Sequence, residues 1–223
     1  MRTTSTTTTA DLVRGTAHLL RTPLGVILGI ATTLRDHDAR FTAEQRRGYL
    51  DELVQAAEEM RAALDGMSLL ARLVGGTLEL TPAPVALSEV VRVAVRGLGA
   101  VWTVEVCGTA GAGTARVDLQ RIEQACQALA RVVVPGTAVC LTAEGTPTPR
   151  LRLAPTLVRV PESDRQALLA APLAETLDAE TVSRPEHWPL VLARHLLAAQ
   201  GGRLRVEPHP DGAEIVIDLA SAI

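Results

Sequence analysis

The residues of this sequence best suited to chemistry stand near its start, in the run His18-Leu19-Leu20-Arg21-Thr22-Pro23-Leu24. An exposed imidazole with an ordinary pKa of about 6.5 is largely neutral and nucleophilic at cellular pH. On a helix, His18 and Thr22 lie one turn apart, and Gly25 and Gly29 continue the same face. Such small residues beside an imidazole let another protein approach closely. The pattern indicates a reactive histidine beside a docking face.

Pro23 lies in the same predicted helix and is expected to bend it near the histidine. Proline has no backbone N–H, so Pro23 removes the hydrogen bond that the Leu19 carbonyl would accept. A lone histidine would be interpreted as a solvated surface residue with a coincidental proline nearby. The group of His18, Arg21, Thr22 and Pro23 favours a functional site instead.

Two amphipathic helices are predicted to position this group. Apolar residues recur alternately three and four positions apart, which is typical of helices that pack along a heptad seam. The seam residues are Val13, Ala17, Leu20, Leu24, Ile27, Ala31 and Leu34 in the first helix, and Leu50, Leu53, Ala57, Met60, Leu64, Met67, Ala71 and Val74 in the second. Relative to these seams, His18 and Thr22 point outward to solvent.

Local signals mark the ends of the second helix. Thr42 offers an N-cap with Gln45 three residues later, and Phe41 stands where a hydrophobic staple would begin. The pair Gly75–Gly76 follows the last seam residue and predicts the end of the helix. The two helices therefore form a hairpin joined by a short loop.

A single hairpin leaves apolar flank residues uncovered, among them Leu28, Ile30 and Leu70. Pairing two hairpins into a four-helix bundle covers these residues, so residues 10–76 are predicted to form a homodimer. The alternative is that the C-terminal half of the same chain covers them.

Beyond the hairpin the pattern changes to α+β, and a second domain is predicted at residues 88–223. Residues 77–87, rich in Pro and Thr, are predicted to be a linker, and residues 1–9 are predicted to be disordered. Helices are predicted at Ser88–Leu98, Leu119–Val134, Glu162–Ala170 and Glu186–Gln200. Strands are predicted at Val101–Val106, Ala138–Ala143, Arg150–Leu153, Arg203–Glu207 and Ala213–Leu219, the last two as a hairpin.

Composition argues against several classes of protein. A net charge of -3 and a pI near 6.0 argue against nucleic-acid binding, which normally requires a basic face. The longest uncharged apolar run, Leu24–Ala31, is far shorter than the roughly 20 residues of a membrane span. The N-terminus does not resemble a signal peptide, so we expect a cytoplasmic protein without membrane contact. With 17 residues before His18, we expect the input signal to come from another protein.

The three cysteines, Cys107, Cys126 and Cys140, are odd in number and widely spaced. They are predicted to be buried free thiols in a reducing compartment. Neither the cysteines nor the five histidines have the spacing of a zinc site. The Gly-rich stretch Gly108–Gly113 is predicted to be a flexible loop.

The run that begins at His18 resembles the H-box of bacterial histidine kinases, in which the histidine is followed by an acidic residue, any residue, Arg, Thr or Asn, Pro and Leu. The resemblance extends over nearly the whole chain, through LARLVGGTLELTPAPVALSEVV to LARHLLAAQGGRLRVEPHPDGAEIVIDL. It implies a dimerising helical hairpin followed by an α/β sandwich like the family's ATP domain. It also implies that His18 carries phosphate, with Arg21 beside it, and that Thr22 serves dephosphorylation of partner response regulators.

The chain departs from this family at the residues that handle ATP. In the family, the acidic residue after the histidine orients the imidazole or removes its proton. Here that position is Leu19. The two Asn residues of the family's magnesium-binding box correspond to Ala128 and Val132, and the whole chain contains no Asn and no Lys. The adenine-binding Asp-x-Gly-x-Gly corresponds to the stretch from Pro155 to Arg159, and the second Gly-rich stretch to the region near Glu186–Pro189. We therefore expect no cofactor and no metal, with magnesium supplied only by a partner receiver domain.

These matches and departures predict a histidine phosphotransferase that exchanges phosphate through His18 with response-regulator receiver domains, without using ATP. His18, Arg21 and Thr22 are the expected catalytic residues, and Leu19, Gly25 and Gly29 the expected docking residues. One alternative is a non-enzymatic pseudokinase that binds a response regulator or a histidine kinase as a scaffold or inhibitor. Another is a response-regulator phosphatase in which Thr22 orients the attacking water.

Overall fold

The structure, a computed structural model, describes residues 9–99, 102–110, 113–134, 136, 138–145, 148–171, 184 and 187–222, without the side chains at 9–16, 18, 38 and 108–110. Its N-terminal part is a helical hairpin of α1 (Thr9–His37) and α2 (Ala43–Val74), joined through a 3-10 turn at Asp38–Arg40. Helix α1 continues through Pro23 without interruption. The predicted disordered segment 1–9 lies outside the described residues, apart from Thr9.

Both ends of α2 are formed by the predicted signals. The Thr42 side chain accepts from the Gln45 amide at 3.1 Å, and the Thr42 amide donates to Oε1 of Gln45 at 2.9 Å. Phe41 packs edge-on against Tyr49, with ring centroids 5.0 Å apart, so the first turn is held by an aromatic pair. At the other end Gly76 has φ of +65°, the left-handed conformation that favours glycine.

The hairpin leaves several large apolar side chains exposed. On α1 and α2 the residues between the helices are buried or half-buried, including Ile30 and Ala56. Beside them runs a set of large apolar side chains open to solvent, here called the hairpin stripe: Leu24, Leu28, Leu50, Val54 and Leu64. Leu28 is 59% exposed and Val54 55%, so neither contributes much to the fold of a single chain.

The C-terminal part is a mixed sheet covered by helices. Its helices are α3 (Leu87–Leu98), α4 (Leu119–Val132), α5 (Glu162–Ala170) and α6 (His187–Ala198). Its strands are β1 (Ala83–Ala86), β2 (Thr103–Ala110), β3 (Thr114–Val117), β4 (Ala138–Glu144), β5 (Arg150–Thr156), β6 (Arg203–His209) and β7 (Gly212–Asp218). Strand order in the main sheet is β2-β4-β5-β7-β6, with β2 parallel to β4 and the other neighbours antiparallel. The predicted fold class is confirmed, since two helices precede a mixed α/β domain.

Two sequence-based expectations about loops are wrong. The predicted linker contains strand β1, which pairs antiparallel with β3 in a separate two-stranded sheet. Residues 108–110 of the predicted flexible loop belong to β2 and pair with β4. Both segments are short and rich in Pro, Thr or Gly, so their own composition resembles loops. Their strand structure comes from partners that are distant in sequence.

The prediction of three buried free thiols holds for one cysteine only. Cys126 is free and buried on α4. Cys107 and Cys140 form a disulfide between neighbouring strands β2 and β4, with Cα atoms 5.7 Å apart. A shift of strand register at Cys107 accompanies this bond. Sequence separation gave no sign of the pairing, because parallel neighbouring strands bring together residues 33 positions apart.

The hairpin and the α/β domain share their hydrophobic packing. Leu69 of α2 belongs to the main core of the α/β domain, and Leu73 packs against both that core and a second, smaller cluster. Leu70 lies in the smaller cluster with residues of α1 and α6. No helix in the described part of the chain is both long and apolar enough to cross a membrane.

Candidate functional site

The outer face of α1 carries the predicted docking residues. Thr22, Gly25 and Gly29 are exposed on one side of the helix, at spacings of three and four residues. A Cβ atom built on either glycine would meet nothing within 4 Å. Arg21 is also exposed beside this row. The structure therefore leaves open space along the two turns that follow the histidine.

His18 belongs to α1 and lies one turn before Thr22. Its side chain is outside the described residues, so the predicted outward orientation of its imidazole stays a prediction. Its neighbours Ala17 and Arg21 are exposed among the described residues.

Leu19, the third predicted docking residue, is not available for docking. Its side chain is 8% exposed and packs in the small cluster with Leu70 of α2 and Trp188 of α6. The prediction is wrong because Leu19 points toward the hairpin partner and the α/β domain, roughly 100° around the helix from His18. The residue that stands in place of the family's acid is thus an internal packing residue.

The positions that correspond to the magnesium-binding box are filled by the core. Ala128 and Val132 on α4 are both buried, and Val132 has no exposed surface. Both belong to the main hydrophobic core of the α/β domain. Neither side chain carries an oxygen or nitrogen that could bind a cation or a water ligand of one.

The segment that corresponds to the adenine-binding motif is hydrogen-bonded to the end of α4. The Arg159 amide donates to the Val132 carbonyl, and the Val134 amide donates to the Leu157 carbonyl, each at 2.8 Å. Between these two bonds, Val133 and Val158 form a β-bridge. These contacts join the two segments into one packed unit.

A buried polar cluster at the start of α4 was not foreseen from the sequence. Asp118 caps the helix by accepting from the amides of Gln120 and Arg121, and it also accepts from the Thr81 amide and hydroxyl at 3.0 and 3.2 Å. The Asp118 amide donates to the Gln200 side chain at 2.8 Å. The only sequence signal was a capping Asp before an amphipathic run.

Burial alone would raise the pKa of the Asp118 carboxyl. The hydrogen bonds from Thr81 and from the Arg121 amide, together with the charge of Arg121, outweigh burial and hold this pKa below its usual value. Asp118 therefore stays ionised and ties the segment after the hairpin to α4.

At the start of α6, His187 is buried, with its Nε2 3.3 Å from Oδ2 of Asp164 on α5. Trp188 follows and turns toward the hairpin. The region near Glu186–Pro189 corresponds to the family's second Gly-rich stretch, and residues 185 and 186 lie outside the described residues. Within the described part of the chain, no group of three or more His, Cys, Asp or Glu side chains is arranged to hold a metal ion.

Comparison with known proteins agrees with this architecture. Residues 9–76 match the family model of the His Kinase A (phospho-acceptor) domain. Comparison with curated proteins gives no match. The structure is similar to the histidine kinase AdeS of Acinetobacter baumannii, with a TM-score of 0.65 and 16% identity over 92% of this chain and 98% of that chain.

Two further solved structures have the same fold. One is the histidine kinase ThkA in complex with the response regulator protein TrrA, with a TM-score of 0.57 and 16% identity over 92% of this chain and 60% of that chain. The other is full-length ShkA in complex with AMPPNP, with a TM-score of 0.54 and 23% identity over 96% of this chain. The present chain spans 47% of the ShkA chain. Residues 9–76 thus match the His Kinase A (phospho-acceptor) domain, and the described chain as a whole has the fold of a histidine-kinase core.

Proposed function

We propose that this protein is a histidine phosphotransferase that carries phosphate on His18, to or from the receiver domain of a response regulator, without using ATP. One contrast carries the proposal. The face of α1 that follows His18 is open along Thr22, Gly25 and Gly29, whereas the positions that would handle ATP are packed or hydrogen-bonded shut.

The transfer reaction requires few chemical groups from this chain. In the transfer toward His18, a neutral imidazole nitrogen attacks the phosphorus of an aspartyl phosphate, an N–P bond forms, and the P–O bond to the aspartate breaks. The carboxylate is the leaving group, and the ring loses its other proton to solvent or keeps it as a cation. The partner supplies the aspartate and its magnesium, so this chain need only present an imidazole on a rigid helix.

The absence of ATP chemistry rests on the packed region between α4 and residues 157–160. Two 2.8 Å backbone hydrogen bonds join these segments, and Val132 lies in the main core. Magnesium would meet an apolar wall there, because Ala128 and Val132 offer no ligand atom.

We also propose that the protein acts as a homodimer through the hairpin stripe. Several large apolar side chains exposed on one pair of helices are typical of surfaces that another protein covers. A second copy, with its hairpin stripe packed against that of the first, completes a four-helix bundle. The outer face of α1 then stays free in both copies.

The experiment is a phosphotransfer assay. Receiver domains of candidate response regulators, labelled with radioactive phosphate on their aspartate, are mixed with the full chain, and acid-labile label on the chain is followed. Transfer to the wild type and none to His18→Gln is expected, with the variant folded as the wild type. A receiver that binds this face without exchanging phosphate would favour the scaffold function. If the chain speeds the loss of phosphate from the receiver, and this effect requires Thr22 but leaves no label on His18, the phosphatase function would be favoured.

A further inference from the structure

The α/β domain contacts the hairpin immediately beside the histidine. Leu19 is the next residue after His18, and its side chain packs with Trp188 of α6 and Leu70 of α2 in one buried cluster. Leu19 is 8% exposed and Trp188 5%. The large indole ring thus contacts a side chain of α1 that is adjacent in sequence to His18.

Helix α1 needs such support at this position. Pro23 lies inside the helix and has no N–H, so the Leu19 carbonyl receives no hydrogen bond from the following turn. One missing bond makes the turn from His18 to Thr22 easier to bend or rotate. A side chain held at Leu19 restrains the rotation of that turn, and with it the direction in which His18 leaves the helix.

A small residue on α2 allows the indole to reach this place. A Cβ atom added at Gly66 would lie 3.1 Å from Nε1 of Trp188 and 3.2 Å from Cδ2 of Leu192. These distances are closer than ordinary van der Waals contact, so a side chain at position 66 would require Trp188 and Leu192 to shift by at least a few tenths of an ångström. The glycine thus accommodates the close approach of the indole to α2.

The helix that carries Trp188 is packed into the body of the domain. Leu190, Val191 and Leu192 of α6 are in the main hydrophobic core, and Leu69 of α2 joins the same core. The Asp118 cluster fixes the connecting segment through Thr81. The position of the indole relative to α2 is thus set by the packed domain.

We propose that Trp188 is a positioning residue for His18, acting through Leu19. On this proposal, the α/β domain no longer serves nucleotide binding and instead sets the rotation of α1 at the phosphate acceptor. This rests on the proposed function for its effect on transfer, while the effect on the helix can be measured independently of any transfer.

The test compares full-chain Trp188→Ala and Trp188→Phe with the wild type. Trp102→Ala is the matched control, because Trp102 is equally buried, at 5% exposure, but belongs to the main core and not to the Leu19 cluster. Gly66→Leu is a second variant that displaces the indole without altering it. Circular dichroism and thermal melting establish that each variant is folded at the assay temperature.

The first readout is amide hydrogen exchange in residues 17–24. Trp188→Ala and Gly66→Leu should speed exchange there, Trp188→Phe should restore slow exchange, and Trp102→Ala should leave it unchanged. Unaltered exchange in both folded variants would overturn the proposal. If only one of Trp188→Ala and Gly66→Leu remains folded, unaltered exchange in that variant alone would overturn the proposal.

The second readout is single-turnover transfer between His18 and a phosphorylated receiver domain. Trp188→Ala should lower the maximal rate about 10- to 100-fold, with little change in the receiver concentration at half-maximal rate. Loss confined to receiver affinity would contradict a positioning role. If the wild type itself transfers no phosphate, the proposed function fails, and hydrogen exchange still decides whether Trp188 positions α1.

Discussion

The amide of Arg159 donates to the carbonyl of Val132 across 2.8 Å, which joins the segment after β5 to the end of α4. With the Val133–Val158 bridge beside it, this bond pairs the residues after α4 with the residues after β5. The two segments that the family resemblance assigns to ATP handling are therefore in direct backbone contact here.

The first prediction is that restoring the magnesium-box residues does not restore nucleotide binding. The double variant Ala128→Asn, Val132→Asn should show no heat of ATP binding in the presence of magnesium by calorimetry. It should also lose stability, because each buried amide left without partners costs about 1–3 kcal/mol. Arg131→Asn, on the exposed side of the same helix, is the control and should unfold near the wild-type temperature. Saturable micromolar binding of ATP to the wild type would show that the segment after β5 separates from the end of α4.

The second prediction concerns the hairpin stripe. Leu28→Asp combined with Val54→Asp should halve the mass measured by light scattering while keeping the helical content. Both side chains are more than half exposed in the single chain, so the carboxylates are costly only where a second copy buries them. Val26→Asp introduces the same charge at an exposed apolar position outside the stripe and should remain dimeric. A wild type of monomeric mass at micromolar concentration would contradict the dimer.

The third prediction separates folding from docking on α1. Gly25→Ala should stabilise the protein by about 0.5–1 kcal/mol, because alanine favours the helix and nothing lies within 4 Å of the new Cβ. Gly25→Trp should leave the fold intact and weaken binding of the partner receiver domain, measured by calorimetry. Gly25→Ala should bind the receiver nearly as the wild type does. Equal affinity of all three proteins would place the docking face elsewhere.

The fourth prediction is acid sensitivity caused by His195. Burial first, and then the neighbouring charge of Arg194, lower the pKa of His195 to about 4 from 6.5. The unfolded chain therefore binds a proton that the folded chain does not bind. The stability contributed by neutral His195 is complete above pH 6.5 and is lost as the pH falls toward 4, by up to about 2–3 kcal/mol.

Denaturant titrations at pH 7, 6, 5 and 4.5 measure this loss. His195→Gln should flatten the dependence over that interval, whereas His37→Gln, an exposed position on α1, should not. The carboxyl of Asp118, with its lowered pKa, acts only at still lower pH. Parallel curves for the wild type and His195→Gln would exclude His195 as the cause.

The fifth prediction counts thiols. With Cys107 and Cys140 joined, one cysteine should react with a thiol reagent under denaturing, non-reducing conditions. In the folded protein Cys126 should not react, because burial, aided by the charge of Glu123, raises its pKa to about 12. Three reactive thiols in protein purified without reductant would show that the disulfide does not form.

The sequence alone was sufficient for features that depend on neighbours along the chain. Heptad spacing predicted both hairpin helices, Thr42 with Gln45 predicted a capping box, and the motif at His18 led to the histidine-kinase resemblance. Each of these depends on residues three to seven positions apart, for which helix geometry gives the spatial relation directly.

The tertiary structure decided what distant segments do to one another. Leu19 looked like a surface residue because α1 alone leaves it uncovered, whereas Leu70 of α2 and Trp188, 169 positions later, pack against it. The β1–β3 sheet, the Cys107–Cys140 bond and the Asp118 cluster likewise arise from segments brought together by the sheet. Contacts of this kind follow from how the helices and strands pack as a whole, and no local pattern of residues encodes that packing.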